Sequence, residues 1–153
     1  MNNTTYKDLA SAFFNKIKDY DFIQLDQNTA TEIAISYISP ACNMFQSCSQ
    51  DLDDRDDILQ EFNYQLLLSN FDMLVNYMCI EYIDSNFLRT TASLKARLST
   101  SDFKWLNLQQ QLSKVMELRS MLKSENDQLA INKSYKDSKL FDIVTNRNKV
   151  GGH

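Results

Sequence analysis

Phe62-Asn63-Tyr64-Gln65-Leu66-Leu67-Leu68-Ser69-Asn70-Phe71-Asp72-Met73-Leu74-Val75-Asn76-Tyr77-Met78-Cys79-Ile80-Glu81-Tyr82 is the stretch from which the fold is read. At the 3.6-residue period of an α-helix, Phe62, Leu66, Met73, Tyr77 and Ile80 fall on one apolar stripe. Tyr64, Leu67, Phe71, Leu74, Met78 and Tyr82 form a second, wider one. Glu61, Gln65, Ser69, Asp72 and Asn76 run between the stripes on one side, and Asn63, Asn70 and Glu81 on the other. The pattern predicts a long helix over about residues 56–89. A helix apolar on two faces packs against neighbours on both sides. It reads first as a central core helix; the sharper alternative is that one stripe meets another subunit.

Downstream, Arg89 to Ser101 reads as a hinge, and Ser99-Thr100-Ser101-Asp102 offers several helix caps. A second long helix is predicted from there to about Asn126, with Trp105, Leu108, Leu112, Val115, Met116 and Leu122 as its seam and Gln109, Gln110 and Gln111 facing solvent or a partner. The seam is too short and irregular for a sustained heptad coiled coil. Past Glu125 the periodicity weakens, and residues 133–153 read as a polar arm with one apolar cluster, Leu140, Phe141, Ile143 and Val144.

Upstream, Leu9, Ala10, Phe13, Phe14 and Ile17 recur at three- and four-residue steps, which predicts an amphipathic helix over residues 6–18. Asp19 to Gln27 reads as a loop. Thr29-Ala30-Thr31-Glu32 has the form of a capping box opening a helix through Ile33, Ala34, Tyr37 and Ile38. Pro40 suits the first turn of a further short helix, with Ser39 as its cap. That helix is predicted to pass through Met44, Phe45 and Cys48.

Two absences narrow the chemistry. The single histidine is His153, so Ser-His-Asp and Cys-His nucleophilic sites and histidine-rich metal sites lack their commonest member. A di-iron site built on Glu-x-x-His pairs is excluded on the same ground. The two glycines are Gly151 and Gly152, so no glycine-rich phosphate loop exists in residues 1–150, and tight glycine hairpins are disfavoured there. Helices joined by polar loops remain: the chain reads as all-α, a single helical-bundle domain over residues 1–132 with a C-terminal arm over 133–153. No cofactor, metal or enzymatic reaction is expected.

Asp51, Asp53, Asp54, Asp56 and Asp57 around Arg55 form an acidic connector. As a calcium loop it fails: Asp56 stands where glycine is required, Phe62 where the bidentate glutamate belongs, and Arg55 at a ligand position. Acids there suit a helix N-terminus instead. Cys42, Cys48 and Cys79 lack zinc-site spacing and read as reduced, mostly buried thiols. Met1-Asn2-Asn3-Thr4-Thr5 lacks the basic and apolar regions of a signal peptide, and no apolar run reaches a membrane span. The chain is therefore expected in a cytoplasm, without a membrane partner.

Net charge is −4, unevenly divided. Residues 51–100 hold nine acids against four bases, and residues 101–153 nine bases against six acids. Such polarity suits head-to-tail contact between copies, or an arm docking on an acidic partner. Sequence-specific reading of DNA is not expected from an acidic chain.

Taken in order, several segments resemble small helical proteins of the head-to-tail region of tailed bacteriophages. They are Phe62-Asn63, Leu66, Met73-Leu74, Met78 and Glu81-Tyr82; then Leu98-Ser99-Thr100-Ser101-Asp102-Phe103 opening the next helix; then Leu112, Leu118, Glu125 and Tyr135. Ala41-Cys42-Asn43-Met44-Phe45, running to Asp51-Leu52, fits as well. The similarity covers about residues 38–135 and is to the head-to-tail connector, or neck adaptor, family. It implies a non-enzymatic virion protein of the neck, assembled in the bacterial host cytoplasm. The family forms rings of commonly about twelve copies beneath the portal protein, receives the stopper or tail-completion protein, and lets packaged DNA pass through the lumen. The resemblance also implies an arm that docks on a partner. On this chain its candidates are Phe141, Ile143 and Val144 as apolar anchors, with Lys139, Arg147 and Lys149 as their charged companions. The alternative, from another class, is a small helical partner-binding or regulatory protein encoded by a mobile element.

Overall fold

A computed structural model describes residues 2–17, 25–88 and 102–137, and in it the central apolar stretch is helical only from Leu68. The order is α1 (Tyr6–Ile17), α2 (Gln27–Ser36), α3 (Ile38–Met44), β1 (Arg55–Asp56), β2 (Glu61–Phe62), α4 (Leu68–Ile83), a π-helical turn (Asp84–Leu88) and α5 (Asp102–Asp137). The molecule is mostly helical, with a two-stranded sheet the sequence reading did not anticipate. The hinge expected at Arg89–Ser101 lies outside the described residues.

Helix α4 is the axle. Met73, Leu74, Val75, Met78, Cys79, Ile80, Tyr82 and Ile83 are buried all round it, because α1, α3 and α5 each pack on a different side. This is the central core helix of the two readings. Helix α1 presents Tyr6, Leu9, Ala10 and Phe13 to it, as the period predicts, with Phe14 and Ile17 half-buried at the margin. Aromatic rings tie the layers together: Phe13 meets Tyr82 edge-to-face at 5.7 Å and Tyr37 at 5.8 Å.

The part of the predicted helix before Leu68 is not helical and opens with a hairpin. β1 and β2 pair antiparallel with Arg55 opposite Phe62 and Asp56 opposite Glu61. Local side-chain chemistry defeats the helix there. Asp56 Oδ1 accepts the backbone N–H of Ile58 (2.9 Å) and of Leu59 (3.0 Å), an alternative to the helical ladder that short acidic side chains offer. Gln60 closes the turn in the left-handed region at φ 56°, without a glycine. The N-terminal segment then completes the ladder. Phe62 N–H donates to the Thr4 carbonyl (2.9 Å), Thr4 N–H to Tyr64 (3.1 Å) and Tyr6 N–H to Gln60 (2.8 Å).

Other boundaries also shift. The capping box lies at Thr5 and Asp8: Asp8 N–H donates to Thr5 Oγ1 (3.2 Å) and Thr5 N–H to Asp8 Oδ2 (3.1 Å). At the box expected from Thr29 to Glu32 the helix has already begun, and Thr31 donates its hydroxyl back to the Gln27 carbonyl (2.8 Å). Pro40 is in the first turn of α3, where its missing N–H costs nothing, but the cap is Tyr37 and Ser39 makes no capping bond.

Helix α5 runs eleven residues beyond the predicted end, through the 132–133 boundary expected between body and arm, to Asp137. Its packed positions from Leu112 on are Val115, Leu118, Arg119, Leu122, Asn126, Leu129, Ala130 and Lys133. Met116, assigned to the seam by its apolarity, lies beside the packed face and is 46% exposed. The side chains of Trp105, Leu108 and Gln109 to Gln111 are outside the described residues.

Candidate interaction surface

α4 and α5 pack antiparallel through a column of polar pairs. Arg119 holds Asp84 in a two-pronged ion pair, Nε to Oδ1 at 2.7 Å and Nη2 to Oδ2 at 3.3 Å. Two turns on, Asn126 accepts from the Asn76 amide (2.9 Å) and donates to the Met73 carbonyl (3.3 Å). Two further turns on, Lys133 donates to Asn70 Oδ1 (2.6 Å). Lys16 of α1 closes the network by donating to Asn76 Oδ1 and pairing with Glu125 at 3.1 Å. Asn70, Asn76 and Asn126 are buried and satisfied. They hold the two helices in one register, the function best attested for buried polar pairs.

The surface offers contact elsewhere. Ile58 is 94% exposed and Leu59 67% exposed at the tip of the hairpin. The frame beneath them is over-determined. The Arg55 guanidinium, largely buried, donates to the Leu52 carbonyl at 2.7 Å and lies 3.6 Å from Asp53 and 3.5 Å from Asp57. Tyr6 donates its hydroxyl to Asp57 Oδ1, and burial together with that carboxylate pushes the phenol well above its usual range. Phe62 is fully buried against the Tyr6 ring. A braced hairpin therefore carries two adjacent aliphatic side chains into solvent, flanked by Asp53, Asp54, Asp56 and Asp57. Helical periodicity places Ile58 and Leu59 on a helix and gives them no role; the signal present in the sequence is an aliphatic pair directly after an acidic run.

A second surface lies at the N-terminal start of α4. Leu67 and Leu68 are exposed there, beside a groove of about 400 Å³ lined by Phe45, Cys48, Gln50, Leu52, Asp51 and Asp53. Gln50 joins the two, its Oε1 accepting the Leu67 N–H at 2.9 Å.

The arm residues singled out from sequence, Lys139, Phe141, Ile143, Val144, Arg147 and Lys149, lie outside the described residues. Among the described residues no cluster of histidine, cysteine or acidic side chains is arranged to hold a metal ion. No helix among them is long and apolar enough to cross a membrane.

The thiols are free, Cys42 and Cys79 buried and Cys48 half-buried. Burial pushes Cys42 up to about 11 and Cys79 up to about 12. A raised folded-state pKa contributes stability that is complete below the unfolded value, about 8.5, and is lost as pH climbs through the folded one. Unfolding free energy from urea titrations should accordingly be level through neutral pH and fall from about pH 9 to 11. The raised phenols of Tyr6 and Tyr64 add to the same fall. Undiminished stability at pH 11 would contradict the burial of these groups.

No family model, curated protein or solved structure matches the chain.

Proposed function

We propose that this protein is a structural component of a tailed-phage virion. In this reading it is a non-enzymatic head-to-tail adaptor with a helical-bundle body and a C-terminal arm. Copies form a closed ring beneath the portal, linking capsid to tail, with DNA passing through the lumen without sequence-specific contact. The observation that carries the reading is the braced hairpin tip. Ile58 and Leu59 contribute nothing to the core of one subunit, yet the fold holds them outward on a rigid frame. Adjacent exposed aliphatic side chains on a stiff support suit burial against a neighbour. In a ring of identical subunits that contact is heterologous, tip against a different surface of the next copy. The division of charge along the chain and the resemblance over residues 38–135 support the same reading. The arm, through Phe141, Ile143 and Val144 with Lys139, Arg147 and Lys149, is the segment that meets the portal or the next neck protein.

The test is the Ile58→Asp/Leu59→Asp double variant in assembling particles. Because both side chains are exposed, subunit stability should change by no more than about 0.5 kcal/mol per site. Incorporation into particle necks should be lost, while image averaging of wild-type necks shows a closed ring containing the chain. Normal incorporation of the variant, or one or two copies at the neck in place of a ring, defeats the proposal.

A further inference from the structure

The polar end of the α4–α5 pair has a consequence for the residues that follow it. Lys133 bonds Asn70 and also Ser49, which directly precedes Gln50 on the groove rim. From Lys133 to the end of α5 at Asp137 is one helical turn, a rise of about 6 Å. The chain therefore leaves α5 beside the groove, and does so at the end of the molecule where Leu67 and Leu68 are exposed. Asp51 and Asp53 stand exposed on the rim; Asp51 has no cationic partner among the described residues, and Asp53 shares only the 3.6 Å contact with Arg55.

The sixteen residues that follow, 138–153, have matching chemistry. They carry Lys139, Arg147 and Lys149 against one acid, Asp142, and the apolar run Leu140, Phe141, Ile143, Val144. Sixteen residues extend to about 55 Å at most, so reach is no obstacle.

We propose that in the free protein the chain's own segment 138–153 folds back onto this end of the bundle as an intramolecular latch. Phe141, Ile143 and Val144 cover Leu67, Leu68 and the Phe45–Leu52 floor of the groove, while Lys139 and Lys149 face Asp51 and Asp53. Tethering favours the intramolecular arrangement, since a short connection holds the segment at an effective concentration in the millimolar range. The apolar contacts hold it, because exposed ion pairs are weak and screened by salt. The latch shields apolar surface on both segment and body until a partner displaces it, so free subunits do not associate prematurely through this surface. The inference concerns the isolated chain and holds whether or not the assembled role is that of an adaptor.

The experiment uses full-length protein, an equal mixture of ¹⁴N- and ¹⁵N-labelled chains at low micromolar concentration, treated with a zero-length carbodiimide that joins ammonium to carboxylate. Mass spectrometry should find Lys139 or Lys149 joined to Asp51 or Asp53, with both peptides carrying the same isotope. The yield should fall several-fold in Phe141→Ser/Ile143→Ser/Val144→Ser, which retains every reacting group. Amide exchange over residues 45–52 should speed up several-fold in that variant and much less in Asp51→Asn/Asp53→Asn, whose exposed charges contribute little once the segment is docked. Hybrid ¹⁴N–¹⁵N cross-links would place the segment on a second copy and overturn the latch. So would the absence of these cross-links, or a yield indifferent to loss of the apolar anchors.

Discussion

Replacing Leu74 by alanine should lower the unfolding free energy by about 2–5 kcal/mol. Leu74 is fully buried at the middle of α4, the helix on which α1, α3 and α5 all pack. Truncation there removes transfer energy and leaves a cavity that three neighbouring helices cannot all move to fill. A loss of that size is a large part of the roughly 5–15 kcal/mol by which a domain is stable. It should lower the melting temperature by about 5–20 °C for a chain of this length. The matched control is Ile58→Ala at the hairpin tip, where the side chain is 94% exposed and the change should stay within about 0.5 kcal/mol. Thermal and urea melts followed by circular dichroism read both. Equal effects at the two sites would mean that α4 is not the axle of the fold.

The second large effect is expected at Asn126. Asn126→Ala removes the acceptor of the Asn76 amide and the donor to the Met73 carbonyl, leaving two buried polar groups without those partners. A buried group stripped of its bond costs about 1–3 kcal/mol, so a loss of about 2–4 kcal/mol is expected. Asn76→Leu combined with Asn126→Leu should recover much of this, since exchanging both partners for apolar groups of similar size is often close to neutral. The diagnostic quantity is the coupling energy of the double-mutant cycle, expected at about 1–3 kcal/mol in magnitude. Additive effects would show that the two amides do not meet. The leucine pair should also loosen register between α4 and α5, which the Asp84–Arg119, Asn76–Asn126 and Asn70–Lys133 pairs jointly hold.

These two sites also mark how far the fold was legible. The apolar periodicity of Leu9, Ala10 and Phe13, and of Met73 through Ile83, is a local property that survives without knowledge of the partner surface, because burying a stripe stabilises a helix in whatever packing is available. Predominant helicity, the amphipathic first helix and the central helix could all be read that way. Three features could not. Residues 56–67 carry a helical apolar pattern, but Phe62 and Leu66 are buried from extended backbone, because residues 3–6 supply hydrogen-bond partners from more than fifty positions away. The same pattern in Ile58 and Leu59 is displayed to solvent for that reason. The length of α5 was hidden because alternate positions of its packed face, Arg119, Asn126 and Lys133, are polar. Each is tolerated only where Asp84, Asn76 or Asn70 stands opposite, and hydropathy carries no sign of a partner on another helix. Met116 is the converse, an apolar side chain beside the packed face of α5 that is left exposed. Helical periodicity is thus written in the chain itself, since it depends on neighbours three and four residues apart. Which stripes are covered, which amides are matched and where a hairpin replaces a helix depend on contacts between distant segments, and those exist only once the chain has folded.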